Sequence, residues 1–304
     1  MPSIIIPARN SPALTDHCLE TTLYSVARHG IRCEFILIDD ASEPDERIIE
    51  VFSRHRARAA NHAFKIARCR ERQHYSGVFS IGLALATREE IFFISNDMVV
   101  TPHFVDMLQR VSTVSEDFGI VRGTSNYTDS LLQHTVKPDR ELDDYAALEA
   151  FSHSRAKELG TSVVEDIVLS GDAVLVKRAV VDRIGVLDLR FFGYFGDVDY
   201  GMRAQLAGFK LVCAKGAWLY HRGAGHMVRQ QEKTKATCEA LKRQRMELVE
   251  AAYQQLRQKW NIATPAHYSG DVLLDYRDLA RSNADRVKLK YELPASVLDS
   301  LDYY

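Results

Sequence analysis

Several things are scarce in this chain, and each scarcity excludes something. Cysteine is limited to Cys18, Cys33, Cys69, Cys213 and Cys238 in 304 residues. The count is odd and no C-x-x-C pair occurs, which argues against a zinc module or a disulfide framework and favours a reducing, cytoplasmic setting. A surplus of either charge is also missing: 39 basic residues face 41 acidic ones, leaving a formal net charge of -2. No global field would draw in nucleic acid or anionic lipid, so no nucleic-acid partner is expected. Long apolar runs are lacking. Ile4-Ile5-Ile6 behind Met1 is too short for a signal sequence and has no basic flank, and no run reaches membrane-spanning length. The expected state is a soluble cytoplasmic protein, at most peripheral at the inner membrane face. Neither G-x-G-x-x-G after the first strand nor G-x-x-x-x-G-K-[ST] is present, so a dinucleotide fold and a P-loop are unsupported. Internal repeats and low-complexity tracts are lacking too.

What is there is a hydrophobic content of 46%, enough for a sizeable core. Short β-branched runs alternate with helical periodicity, the pattern of an α/β domain whose strands are covered on both faces. Ser3 to Ile6 reads as a strand stopped by Pro7, and Leu14 to His29 as a helix ended by Gly30. Glu34 to Asp39 is a second strand and Pro44 to Phe52 a second helix. A weaker strand lies near Phe64, and a small-residue helix runs from Gly77 through Ala86. Glu90 to Ser95 is the clearest strand. Thr101-Pro102 then reads as an N-cap followed by proline at the first helical position. An irregular polar stretch covers Asn126 to Asp139, a charged helix Arg140 to Leu159, and a strand Asp172 to Lys177. Beyond His226 the composition turns to Gln, Lys, Glu and Arg with an apolar stripe through Leu241, Met246, Val249, Tyr253 and Leu256. That pattern predicts a helical appendage rather than more sheet. The tail from Thr264 shows no clear period.

In an open α/β sheet, ligands gather beyond the carboxyl ends of the strands. Acids stand at three such ends: Asp39-Asp40, Asp97, and the pair Asp197 and Asp199 in FFGYFGDVDYGMRAQLAGF, Phe191 to Phe209. Asp199 lies one turn before Arg203, where a helical ion pair forms. Asp197 is about 200° away from Asp199 on a helical wheel and has no such partner, so it is the acid left free for chemistry. WLYH then ends an apolar run at His221. Asp97 and His221 are the candidate ligands for a hard divalent cation that would bridge a diphosphate.

Taken in order, SIIIPARN, ILIDDAS, FFISND and GVLDLRFFGYFGDVDYGMRAQLAGF with WLYH resemble the family 2 glycosyltransferases. The resemblance covers roughly the first 225 residues, and YQQLRQKWN looks like the tail of many members. It implies a GT-A fold: an α/β, Rossmann-like, mostly parallel central sheet flanked by helices, here with a carboxy-terminal helical appendage. It also implies that Pro7, Ala8, Arg9 and Asn10 border the nucleotide and that Asp39 and Asp40 contact base or ribose. Ser95-Asn96-Asp97 would match the D-x-D motif, with Asp97 and His221 binding Mn2+ or Mg2+. Asp197 would be the general base, framed by Asp199 and Arg203. Asp172, an unexpected acid after Ser170-Gly171, would face the donor sugar or the acceptor. Ser95 departs from the motif by removing its first carboxylate.

The resulting expectation is a glycosyltransferase domain over 1–225, divided into a nucleotide-binding half (1–123) and an acceptor half (124–225), with a helical extension over 226–304. It would move a sugar, with inversion, from a nucleotide-diphosphate donor, UDP-type favoured, to a glycan, lipid-linked or small-molecule acceptor, in glycan or polysaccharide synthesis. The carboxy-terminal helices offer a surface for a homo-oligomer. Two other classes share features with this reading. A catalytically impaired nucleotide-sugar binder is suggested by Ser95, and a sugar nucleotidyltransferase by the strand-end acids, although SPALTDH stands where its basic phosphate loop would be.

Overall fold

The computed structural model describes residues 1–128, 134–138, 144–222, 235–268 and 277–304, with 235–242 described by backbone alone. The first half alternates strand and helix. β1 (Ser3–Ala8) leads to α1 (Pro12–Arg28), β2 (Glu34–Asp39) to α2 (Ile48–Arg58), and β3 (Ala63–Cys69) to α3 (His74–Leu85). β4 (Glu90–Ile94) is followed by the short β5 (Met98–Val99), α4 (Phe104–Ser112) and β6 (Phe118–Ser125). Next come α5 (Tyr145–Leu159), β7 (Val163–Asp166), β8 (Ala173–Lys177), α6 (Arg178–Ile184), α7 (Gly196–Leu206) and β9 (Lys210–His221). α8 (Lys235–Trp260), α9 (Arg277–Ser282), α10 (Ala295–Asp299) and β10 (Leu301–Tyr303) complete the described chain. Among the described residues no helix is long and apolar enough to cross a membrane.

The strands form one sheet in the order β10-β3-β2-β1-β4-β8-β6-β9-β5, with β7 on β9. β1 to β4 are parallel where they pair, and so are β6 and β9. Because β8 is antiparallel to both β4 and β6, the two parallel groups point the same way. The expected α/β architecture, a central sheet with flanking helices, is therefore present; the sheet is mixed, with the parallel pairs above joined by antiparallel ones at β5, β7, β8 and β10. Its central strands are apolar along their length because helices cover both faces. Ile4, Ile6, Phe35, Leu37 and Phe92 pack with α1, α2 and α4 on one side. Ile5, Ile36, Ile38 and Phe93 alternate to the other side and meet α3, α6 and α7.

Three local expectations are corrected. Pro7 does not end the first strand: β1 continues to Ala8 against β2, while its pairing with β4 stops at Ile5. With no ladder bond required on the β4 side, a residue without an N–H is tolerated. Thr101 does not cap α4, whose N-cap is His103; its hydroxyl is buried and donates to the Trp218 carbonyl instead. The carboxy-terminal extension is not helical throughout. β10 returns to the sheet and covers the free edge of β3, pairing Leu301 with Cys69 and Tyr303 with Ala67. The polar stretch 126–139 and the start of the charged helix fall partly outside the described residues, as does the basic stretch before residue 235.

Candidate active site

The strand directions explain why distant residues meet. β1, β2 and β4 all end at one edge of the sheet, delivering Arg9, Asp40 and Ser95 to Asp97 there. β8 runs the other way, so its amino end brings Asp172 to the same edge, and the Ser95 N–H donates to the Asp172 carbonyl at 2.9 Å. β9 runs with β6 and ends at His221. β5 turns back along β9 in the register Met98 with His221, which draws Asp97 beside His221. Here a cleft of about 760 Å3 opens, lined among others by Arg9, Ser95, Asn96, Asp97, Asp172, Asp197 and His221.

Asp97 and His221 form the first feature of this cleft. Asp97 Oδ2 lies 3.2 Å from His221 Nε2. The other ring nitrogen, Nδ1, faces the Tyr127 carbonyl at 3.2 Å, the type of contact that orients a metal-binding imidazole and leaves Nε2 as the ligand atom. Asn126 clasps the backbone on either side, donating to the His221 carbonyl at 2.9 Å and accepting from its N–H at 2.6 Å. Burial works to lower the His221 pKa, but the Asp97 hydrogen bond and the charges of Asp97 and Asp172 outweigh it, and the net shift is upward. A site that favours positive charge between a carboxylate and an imidazole fits a divalent cation. Among the described residues no three His, Cys, Asp or Glu side chains form a complete metal cage.

Asp197 is the second feature. It sits in the first turn of α7, which begins after Phe195 takes a left-handed conformation (φ 61°). The Gly171 N–H donates to Asp197 Oδ2 at 3.0 Å and the Val198 N–H to Oδ1 at 2.9 Å. Burial pushes the Asp197 pKa up to about 6, with the Asp172 charge adding to it and the two N–H donors working against it. Such a carboxyl is held in one orientation and poised to exchange a proton near neutral pH. Asp199 behaves as its spacing implied: it is fully buried and accepts from Arg203 Nε at 2.9 Å.

Asp172 is only partly held. Its Oδ1 is 3.5 Å from Arg122 Nη2 and 3.4 Å from Ser170 Oγ, and its Oδ2 is 3.8 Å from His221 Nδ1. It therefore faces both Asp197 and the Asp97–His221 pair. Asn96 donates to Thr15 Oγ1 at 2.9 Å, tying the loop after β4 to α1.

The remaining candidates, Arg9 apart, surround the cleft without lining it. Asp39 is fully buried, accepting from the Ser42 N–H at 2.9 Å and from Arg68 at 2.5 Å. Asp40 accepts from the backbone N–H groups of Gln73 at 2.5 Å and His74 at 3.1 Å, anchoring the start of α3. Pro7 and Ala8 lie within β1, and Asn10 binds the turn at Ser42 and Glu43. Arg9 links the two loops by donating to the carbonyls of Asp40 and Ala41 at 2.8 and 2.7 Å, and it also reaches the cleft.

Sequence reading missed part of the lining: Tyr75, Gly171, Tyr194, Phe195, Arg245 and Tyr268. Tyr194 and Phe195 lay inside the segment already singled out, in the run that turns into α7. Tyr75, Arg245 and Tyr268 carry no local signal, because α3, α8 and the segment after α8 are brought to the cleft only by packing.

Comparison with known proteins bears on the fold. Residues 3–144 match the model of Glycosyl transferase family 2. No curated protein sequence matches the chain significantly. Among solved structures, the mannosyltransferase PcManGT from Pyrobaculum calidifontis, in complex with GDP-Man and Mn2+, is similar with a TM-score of 0.57 and 14% identity, covering 93% of this chain and 68% of that one. GalNAc-T7 with UDP, GalNAc and Mn2+ is similar with a TM-score of 0.53 and 14% identity, over 73% of this chain and 43% of that one. S. aureus TarS gives 0.50 and 13%, over 72% of this chain and 36% of that one. The protein thus has the GT-A fold of these structures, and the stretch that matches the family model is its first, β-α alternating half.

Proposed function

We propose that this protein transfers a sugar from a nucleotide-diphosphate donor to an acceptor hydroxyl, by single displacement with inversion at the anomeric carbon. The observation that supports this most directly is Asp197. Its carboxylate is fixed by two backbone N–H donors and tuned to about 6. It also opens onto the same cleft as Asp97 and His221. In this reading Asp197 takes the proton of the attacking acceptor hydroxyl, Arg9 and the strand-end loops border the nucleotide, and Asp172 faces the sugar. Asp97 and His221 would hold Mn2+ or Mg2+, which when bound neutralises charge on the departing diphosphate. PcManGT and GalNAc-T7 were each solved with Mn2+ and with a nucleotide or nucleotide-sugar, which motivates testing GDP- and UDP-linked donors first.

The test is a donor screen by thermal shift with and without Mn2+, followed by transfer assays and NMR of the product's anomeric configuration. Donor binding raises the melting temperature by mass action. A product that keeps the donor's anomeric configuration would exclude single displacement. Donor binding without turnover over a broad acceptor panel would instead support the impaired binder.

A further inference from the structure

The end of α8 contains a buried lysine that the proposed chemistry does not use. The Lys259 side chain is 5% exposed, and its ammonium lies 2.9 Å from Asp188 Oδ2 and 2.6 Å from Asp199 Oδ1. These two acids bracket the segment that holds Asp197. Asp188 stands at its start, in the irregular run after α6, and Asp199 lies two residues beyond the proposed base. Between them Gly193, Tyr194, Phe195, Asp197 and Val198 all line the cleft. The neighbouring Trp260 donates from Nε1 to the same Asp199 oxygen at 2.9 Å. The Lys259 ammonium also sits over the Tyr291 ring, 4.5 Å from its centroid, while Arg203 lies 4.8 Å from that centroid.

We propose that Lys259 is a positioning residue: it ties both ends of the 188–199 segment to α8 and so sets where Asp197 and the aromatic wall of the cleft stand. The inference deepens the proposed function and rests on Asp197 being the base. Without Lys259, Asp188 keeps Arg190 and Asp199 keeps Arg203 and Trp260. Each end stays individually paired, and Arg203 still bonds the Ile184 and Val186 carbonyls just before Asp188; what is lost is the one ammonium that bridges both acids from α8, in a segment whose intervening run contains Gly193 and the left-handed Phe195. Small displacements of a reacting group are expensive, about 10²-fold in rate for about 1 Å. On this reading the helical extension belongs to the catalytic unit and is not an independent appendage.

The full-length Lys259→Met, Lys259→Arg and Trp260→Phe variants test this, each checked for folding by circular dichroism. In Lys259→Met, kcat should fall on the order of 10²-fold with the donor dissociation constant nearly unchanged. The pH midpoint of kcat/KM should move, because the environment of Asp197 changes, and Lys259→Arg should recover much of the rate. Trp260→Phe removes one hydrogen bond, from an uncharged donor, to the Asp199 carboxylate and should give a smaller loss of the same kind; it decides the matter if Lys259→Met fails to fold. Folded variants with wild-type kcat and pH midpoint, or a loss confined to donor binding, would overturn the positioning role. A wild-type enzyme with no transfer activity would instead overturn the proposed function, so the two failures are distinct.

Discussion

Gly171 and Asp197 are fitted to each other at the centre of the cleft. The Gly171 N–H donates to the Asp197 carboxylate at 3.0 Å, and a Cβ placed on Gly171 would lie 2.0 Å from Tyr75 Oη and 3.1 Å from Asp197 Cβ. Absence of a side chain is what lets that N–H approach the acid under the Tyr75 hydroxyl, which itself donates to the Gly171 carbonyl at 3.0 Å. Gly171→Ala should therefore lower kcat by one to two orders of magnitude, roughly the effect of misplacing a reacting group. Tyr75→Phe in the same chain removes the closest clashing atom and should restore part of the rate. Steady-state kinetics of the two single variants and the double variant measure the coupling.

A raised carboxyl pKa makes the pH profile diagnostic. Asp197 acts as a base only when ionised, so kcat/KM should rise with pH and level off above about 6. Asp197→Asn should reduce transfer by about 10² to 10⁴-fold while retaining donor binding. A variant that keeps near-wild-type rates would remove Asp197 from this role.

The same shift sets a cost in stability. Below about pH 4 the carboxyl is protonated in both folded and unfolded chains, and no penalty arises. Between about 4 and 6 the unfolded chain releases the proton while the folded one keeps it, so stability falls as pH rises. Above the folded value of about 6 the loss is complete. It amounts to at most about 3 kcal/mol for a shift of this size. Urea unfolding of the wild type and Asp197→Asn should show the wild type losing stability relative to the variant from pH 4 to 8.

Removal of metal should abolish transfer, and Mn2+ should restore it, if Asp97 and His221 hold the cation. Asp97→Asn and His221→Ala should each weaken Mn2+ binding by at least about tenfold, read by calorimetry in the presence of nucleoside diphosphate. Asn126→Ala keeps both ligands but loses the clasp on the His221 backbone. Its expected weakening is about 10-fold, at the lower end of effects seen for groups that orient a ligand. Ser95→Asp should tighten Mn2+ binding by restoring a carboxylate beside Asp97.

Deletion of residues 300–304 should destabilise the fold and promote association. β10 covers the edge of β3, Arg70 pairs with Asp302 at 2.9 Å, and Arg56 donates to the Tyr304 carbonyl at 2.8 Å. Without them β3 offers unpaired backbone to another chain. Light scattering and melting temperature report the two effects.

Composition, strand patterning and four ordered motifs were sufficient for the class of fold and for the acids at the strand ends. Local rules sufficed there because buried parallel strands must be continuously apolar, and an acid one turn before an arginine forms its pair within the helix itself. The Asp199–Arg203 bond at 2.9 Å came directly from that spacing. Tertiary structure decided everything that depends on elements remote in the chain. It divided the acids by surroundings, engaging Asp39 and Asp40 in hydrogen bonds to neighbouring loops while leaving Asp97, Asp172 and Asp197 facing the cleft. It brought Lys259 onto Asp188 and Asp199, and it returned β10 to the sheet. The reason is physical: a carboxylate's role follows from which donors reach it and how much water it keeps, and both are set by packing between segments far apart in sequence.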